Sequence, residues 1–218
     1  MGSVTLTFDN GPTVDTTPRV LEELRCRDLT AYFCLVGKQL LKGQEQIDIA
    51  SEAKRRGHIL VNHSLTHGTA LGDDVSAEHA RQEIVEAHTV LTQTIPEWNS
   101  TLFRPFGRGG DIGPHLLSQH SLDHFRDLNY SVLLWNSVPR DWEDIDGWVD
   151  TALTQITQQT HTVIVLHDLN TGAMEHLGRF LDAVLTQHET TMQLPEDCVP
   201  IKDGNIVWEN SRINQITT

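Results

Sequence analysis

The chain has 218 residues, 38% of them hydrophobic and 21% charged, which suits one globular domain spanning 1–218 with a sizeable core. Its formal net charge of −14 argues against a nucleic-acid partner, since such proteins carry a basic footprint. No apolar run reaches the roughly 18 residues of a membrane span, and no basic-then-apolar leader opens the chain, so it reads as soluble without a signal peptide.

In chain order, Val4 to Phe8 reads as a strand. A helix follows it, with Thr17 as a candidate cap, Pro18 in the first turn and Val20, Leu21 and Leu24 as the apolar face. Ala31 to Val36 reads as the next strand, Ile47 to Arg56 as a helix stopped by Gly57, and Ile59 to Val61 as a third strand. A long helix is expected over about Ser76 to Thr92, then a short strand at Leu102-Phe103 and a helix over Leu122 to Leu128. Ser131 to Trp135 reads as a strand, Ile145 to Ile156 as a helix, Thr162 to Leu166 as a strongly buried strand and Met174 to Leu185 as a helix. Asp203-Gly204, between Val199-Pro200-Ile201 and Ile206-Val207-Trp208, predicts a hairpin with Pro200 best placed on an edge. This alternation predicts an α/β fold with parallel strands and outer helices, either a barrel or an open doubly wound sheet.

Several familiar chemistries find no support. Cys26, Cys34 and Cys198 match no zinc or redox spacing and read as buried thiols. Gly107-Arg108-Gly109-Gly110 lacks the following helix that a phosphate loop needs. Met1-Gly2-Ser3 fits a natural start or a cloning remnant. The compartment therefore stays open: cytoplasmic, or secreted if a leader has been removed.

The polar residues collect just past the expected strands. Asp9-Asn10-Gly11-Pro12 follows the first, His63-Ser64-Leu65-Thr66-His67 the third, and Arg104-Pro105-Phe106-Gly107 the fourth. Asp141-Trp142 and His167-Asp168 follow the later ones. The four-residue spacing of His63 and His67 puts both imidazoles on one side of a helical turn, a common way to hold a metal such as zinc. Each cluster has an ordinary explanation of its own: a turn at Asp9, loop histidines, a structural Arg104 ion pair, a core Trp142, a strand-end His167. Their recurrence at one end of successive strands, where barrel enzymes keep their chemistry, favours a shared site.

Taken together, these clusters resemble the polysaccharide deacetylase family, carbohydrate esterase family 4. The family's motifs appear in order: Thr7-Phe8-Asp9-Asn10-Gly11-Pro12, His63 to His67, Arg104-Pro105-Phe106-Gly107, Val138-Pro139-Arg140-Asp141-Trp142, and Leu166-His167-Asp168. The resemblance implies a distorted (β/α) barrel with an open groove. It implies Asp9 as general base, His167 as general acid, Arg104 orienting the base, and Asp141 holding the histidine. His63, His67 and position 10 would bind a divalent metal, zinc or cobalt. The backbone N–H of Phe106 would help hold the oxyanion, and Trp142 and Leu166 would wall the acetyl methyl.

Three departures accompany the resemblance. Asn10 stands where the family has a metal-ligand aspartate, the third motif is one residue short, and Val138 replaces the first aspartate of the fourth. A neutral amide oxygen should hold metal more weakly than a carboxylate. The expected function is metal-dependent N-deacetylation of a β-1,4-linked amino sugar, such as a chitin oligomer or peptidoglycan. The rivals are a catalytically silent carbohydrate-binding homologue and a metal-independent hydrolase of a small amide or cyclic imide.

Overall fold

The computed structural model describes residues 2–96 and 98–218; Met1 lies outside them. The first half alternates strand and helix: β1 (Ser3–Asp9), α1 (Thr17–Arg25), β2 (Tyr32–Leu35), α2 (Gly37–Leu40), α3 (Gln44–Arg55) and β3 (Ile59–Asn62). The long helix expected next has three parts: α4 (Ala77–Ala80), a π-helical turn (Arg81–Glu86) and α5 (Ala87–Thr94). Then come β4 (Leu102–Phe103), α6 (Gln119–Asp127), β5 (Ser131–Val132), α7 (Trp148–Thr157), β6 (His161–His167), α8 (Leu177–Gln187) and β7 (Glu189–Thr190). The hairpin β8 (Ile201–Lys202) and β9 (Asn205–Ile206) turns at Asp203-Gly204, and α9 (Asn210–Ile213) follows.

The strands lie in the order β6-β1-β2-β3-β4-β5-β8-β9, with β7 also pairing β1. All pairings are parallel except β5–β8 and β8–β9. The sheet curls until the chain past β5 meets β6 again, through a bridge between Ser137 and Ile164. Strands on the inside with helices outside give the distorted (β/α) barrel expected for the sequence.

Strand alternation sorts the side chains into two cores. Val4, Leu6, Phe8, Phe33, Leu60, Ile164 and Leu166 pack outward against α1, α3, α7 and α8. Tyr32, Cys34, Val61, Phe103, Val132, Val163 and Val165 fill the curl. With a period of two, the interior face of β1 ends at Asp9, that of β6 at His167, and that of β3 leads into His63.

Several local expectations need correction. Thr17 is the first helical residue of α1, not its cap; Thr16 takes the cap position without a side-chain bond. The Thr17 hydroxyl instead donates to Asp168 at 2.5 Å and accepts from the Thr13 N–H at 2.7 Å. The strand at 131–135 is only two residues long, because Leu134 N–H leaves the ladder to bond the carbonyl of Cys198. His63 to His67 is no helical turn but an irregular loop, with Ser64 (φ 68°) and His67 (φ 53°) both left-handed. Cys34 and Cys198 are buried, but Cys26 is exposed.

Candidate active site

At the C-terminal ends of β1, β3, β4 and β6, a cleft of 390 Å³ is lined by Asp9, Asn10, His63, His67, Phe106, Trp142 and His167, among others. Asp9 and His167 are register partners on adjacent strands, so the sheet itself sets their spacing.

Asp9 is buried and faces Arg104, itself fully buried. Arg104 Nη1 lies 3.3 Å from Asp9 Oδ2, while Nη2 reaches the Thr7 hydroxyl at 3.3 Å. Arg104 also lies over the Trp135 ring, 5.2 Å from its centroid, which fixes the guanidinium plane. Burial alone would raise the carboxyl's pKa. The positive charge of Arg104, with a smaller contribution from His167, outweighs it and holds Asp9 below the usual carboxylate range. Its second oxygen, Oδ1, is buried and accepts no N–H or O–H hydrogen bond; the buried Cys34 thiol is the further donor beside this carboxylate.

Across the strand pair, Asp141 clamps His167 twice. Its Oδ1 takes the ring Nδ1–H at 2.8 Å and its Oδ2 the backbone N–H at 2.9 Å. Burial disfavours a charged ring, yet the hydrogen bond and charge of Asp141 prevail, with Asp9 and Asp168 contributing. The His167 pKa therefore lies above its ordinary value. Nδ1 is occupied, so Nε2 is the free ring nitrogen. Trp142 meets the ring edge-on at 4.6 Å.

The third group is His63, His67 and Asn10. The two imidazole centroids are 4.7 Å apart, and His67 in turn lies 4.2 Å from the Phe106 ring. His63 Nδ1 bonds the Arg104 carbonyl at 2.8 Å, which leaves Nε2 as its lone-pair donor. Burial lowers both imidazole pKa values, that of His67 to about 3, so both rings are neutral and able to ligate. Asn10 is left-handed (φ 78°), a conformation Asn tolerates, and its buried Oδ1 has no partner. Two neutral nitrogens and one orphaned amide oxygen therefore fit a divalent cation, though with no carboxylate of their own. Among the described residues no cluster of three or more His, Cys, Asp or Glu side chains could hold a metal.

One expected residue is placed elsewhere. Leu166 is fully buried in the outer core and does not reach the cleft, because it alternates with Val165 and His167. Val165 and Leu169 take the wall position instead. Sequence reasoning also passed over Trp135 and Glu143, which line the cleft, and met Val138 and Asp168 only as motif positions without giving them a role. Fully buried, Asp168 receives the Thr17 hydroxyl and packs so tightly on Gly11 that any Cβ there would collide with its carboxylate. The period-two pattern already pointed to Val165; nothing local gave Asp168 its role, because its partner Thr17 lies 151 residues away.

Comparison with known proteins places this architecture. Residues 1–120 match the polysaccharide deacetylase family model, and the chain belongs to that family. A peptidoglycan-N-acetylglucosamine deacetylase of Bacillus cereus is 23% identical over 86% of this chain; the chain spans 63% of that relative's length. A chitooligosaccharide deacetylase of Sinorhizobium fredii is 28% identical over 76% of this chain and 72% of its own. Among solved structures, a family 4 acetyl xylan esterase of Clostridium thermocellum in complex with a cobalt ion superposes with a TM-score of 0.67 at 21% identity, covering 87% of each chain. A CE4 family pseudoenzyme of Bacillus anthracis superposes with a TM-score of 0.72 at 18% identity, covering 88% of this chain and 64% of its own. The structural likenesses establish the fold, which is shared by relatives described as active and as inactive. Relatives of this fold bind a divalent metal. No helix among the described residues is long and apolar enough to cross a membrane.

Proposed function

We propose that this chain is a metal-assisted N-deacetylase of N-acetylated amino-sugar polymers or oligomers, of the chitin or peptidoglycan type. The observation that carries this reading is the pair of oppositely tuned dyads facing one cleft. Asp9, held ionised by Arg104, is the base; His167, whose pKa Asp141 raises, is the acid.

Amide hydrolysis needs both. Water attacks the acetyl carbonyl carbon as Asp9 Oδ1 takes its proton. The C–N bond then breaks as His167 Nε2 delivers a proton to the departing amine, giving acetate and a free amino sugar. Arg104 keeps Asp9 deprotonated and aimed, and Asp141 fixes the His167 tautomer. Trp142, Val165 and Leu169 offer apolar contact to the acetyl methyl, and the Phe106 backbone N–H a donor for the developing oxyanion. His63, His67 and Asn10 would hold a divalent cation, zinc or cobalt, which when bound supplies Lewis acidity and makes a coordinated water more acidic.

The neutral amide at position 10 favours one second reading, a silent carbohydrate-binding homologue. Elemental analysis with and without added zinc, followed by acetate release from chitin oligomers and peptidoglycan, separates the two. About one metal per chain with acetate release supports the deacetylase. Metal-free protein that binds oligosaccharide without releasing acetate supports the silent homologue.

A further inference from the structure

We infer that Glu83, a buried carboxylate in the π-helical turn, is a positioning residue that sets the His63–His67 loop and, through it, the His67 imidazole. The inference rests on the reading of His63 and His67 as metal donors for one of its readouts, and on the loop geometry alone for the other.

The loop needs outside support. It lacks helical hydrogen bonds, and two of its five residues, Ser64 and His67, are non-glycine residues with positive φ. Such conformations persist only where the surroundings over-determine them. Inside the loop, the His67 N–H donates to the Ser64 hydroxyl at 3.1 Å. His63 has a further anchor, its ring bond to the Arg104 carbonyl. Among the described residues the His67 ring has no such bond to another residue; it packs between the His63 and Phe106 rings, 4.7 and 4.2 Å from their centroids, so its place depends on those contacts and on the path of the backbone just before it.

That backbone is held by Glu83. The Thr66 N–H donates to Glu83 Oε2 at 2.9 Å and the Thr66 hydroxyl donates to Oε1 at 2.7 Å. Glu83 is only 2% exposed, and among the described residues no Lys, Arg or His forms an ion pair with it. A buried carboxylate is costly unless its oxygens are satisfied, and here one loop residue satisfies both.

The helix is distorted where it delivers this group. The π-helical turn Arg81–Glu86 interrupts the path from α4 to α5, and such turns recur at functional sites. It makes a second contact with the loop: the Ile84 carbonyl accepts from Asn62 Nδ2 at 3.5 Å, and Asn62 Oδ1 accepts the Ser64 N–H at 3.1 Å. Asn62 Nδ2 also reaches the Tyr130 hydroxyl at 3.1 Å, itself 2.8 Å from His88 Nδ1 on α5. The distorted turn thus grips the loop on both sides, at Asn62 before His63 and at Thr66 before His67.

The test compares wild type, Glu83→Ala, Glu83→Gln and Thr66→Val. The readouts are the imidazole proton resonances of His63 and His67 in metal-free protein, the zinc Kd, and kcat and KM for acetate release. Glu83→Ala is expected to shift or broaden the His67 resonances more than those of His63. It should also weaken zinc binding and lower kcat by about tenfold or more, with KM changing less than about threefold. Glu83→Gln restores most of this, since its amide oxygen can accept the Thr66 N–H and its NH2 can donate to the Thr66 hydroxyl. Should Glu83→Ala fail to fold, Thr66→Val removes the hydroxyl arm, and with it the 3.2 Å bond from the Gly68 N–H to that hydroxyl, while leaving the Thr66 N–H arm; it is expected to move the same readouts in the same direction. A lowered Tm in Glu83→Ala or Thr66→Val with wild-type His67 resonances and wild-type zinc Kd would overturn the inference. If wild type itself binds no zinc and releases no acetate, the deacetylase reading fails, while the metal-free resonances still decide the role of Glu83.

Discussion

The two halves of the cleft are built to different standards. On the Asp9–His167 side, each reacting side chain is paired with a buried or nearly buried partner of opposite charge, Arg104 or Asp141, and the β1–β6 ladder fixes the spacing between them. On the His63–His67 side there is no charged ligand: two neutral rings and an amide oxygen face the cleft from loops with left-handed residues. Under the proposed function, proton transfer would be preorganised in the strands, whereas cation binding would depend on loops and on a neutral donor. On that reading, the first half governs the rate of the chemistry and the second the concentration of metal needed to reach it.

The largest effect should come from the rigid half. Asp9→Asn removes the proposed base and is expected to lower kcat for acetate release by about 10³-fold, within the range general bases contribute. Acetate release at unchanged kcat would remove Asp9 from the mechanism. Asp141→Asn should act through His167. Asp141 raises the His167 pKa by stabilising the imidazolium, so its loss lowers that pKa. Wild type is then expected to keep the basic limb of its kcat/KM profile above the ordinary histidine value of 6.5, and Asp141→Asn to bring the limb to lower pH with a reduced plateau. A basic limb that stays in place would sever the link between the two residues.

The looser half predicts gains instead of losses. Asn10→Asp adds a carboxylate to the donor set and should tighten zinc binding by about tenfold or more, equivalent to ~1.4 kcal/mol, as read by calorimetry. Unchanged affinity would show that position 10 does not touch the cation. The smallest effect concerns Asp168, whose carboxyl burial raises to about 6 from 3.8. A group raised on folding stabilises the native state below its unfolded pKa, and that stability is lost as pH rises through its folded value. Wild type should therefore lose a few degrees of Tm between pH 4 and 7 that Asp168→Asn does not lose. Parallel Tm curves for the two proteins would contradict the shift.

Much of this was legible in the sequence where a local pattern suffices. The alternation of strands with helices announces the parallel sheet, and the clusters at Asp9, His63, Arg104, Asp141 and His167 gather at one cleft because each follows a strand. What sequence reasoning missed depends on contacts distant in the chain or on a choice between two faces. Leu166 was assigned to the cleft from its motif neighbours, but the period of two turns it outward and puts Val165 inside. The four-residue spacing of His63 and His67 suggested a helical turn, but the left-handed Ser64 and His67 take the loop away from helix. Thr17 looked like a cap because it precedes Pro18, whereas its hydroxyl is drawn to Asp168. No periodicity could reveal that Glu83 sits in a π-helical turn, since that depends on Thr66 and Asn62 being brought alongside it.

The account is tested most directly by following acetate release from an N-acetylglucosamine oligomer with zinc-supplemented protein, before and after a chelator. It predicts release that the chelator stops and added zinc restores. Release that survives complete metal removal, or none from protein shown to carry about one zinc per chain, would contradict it.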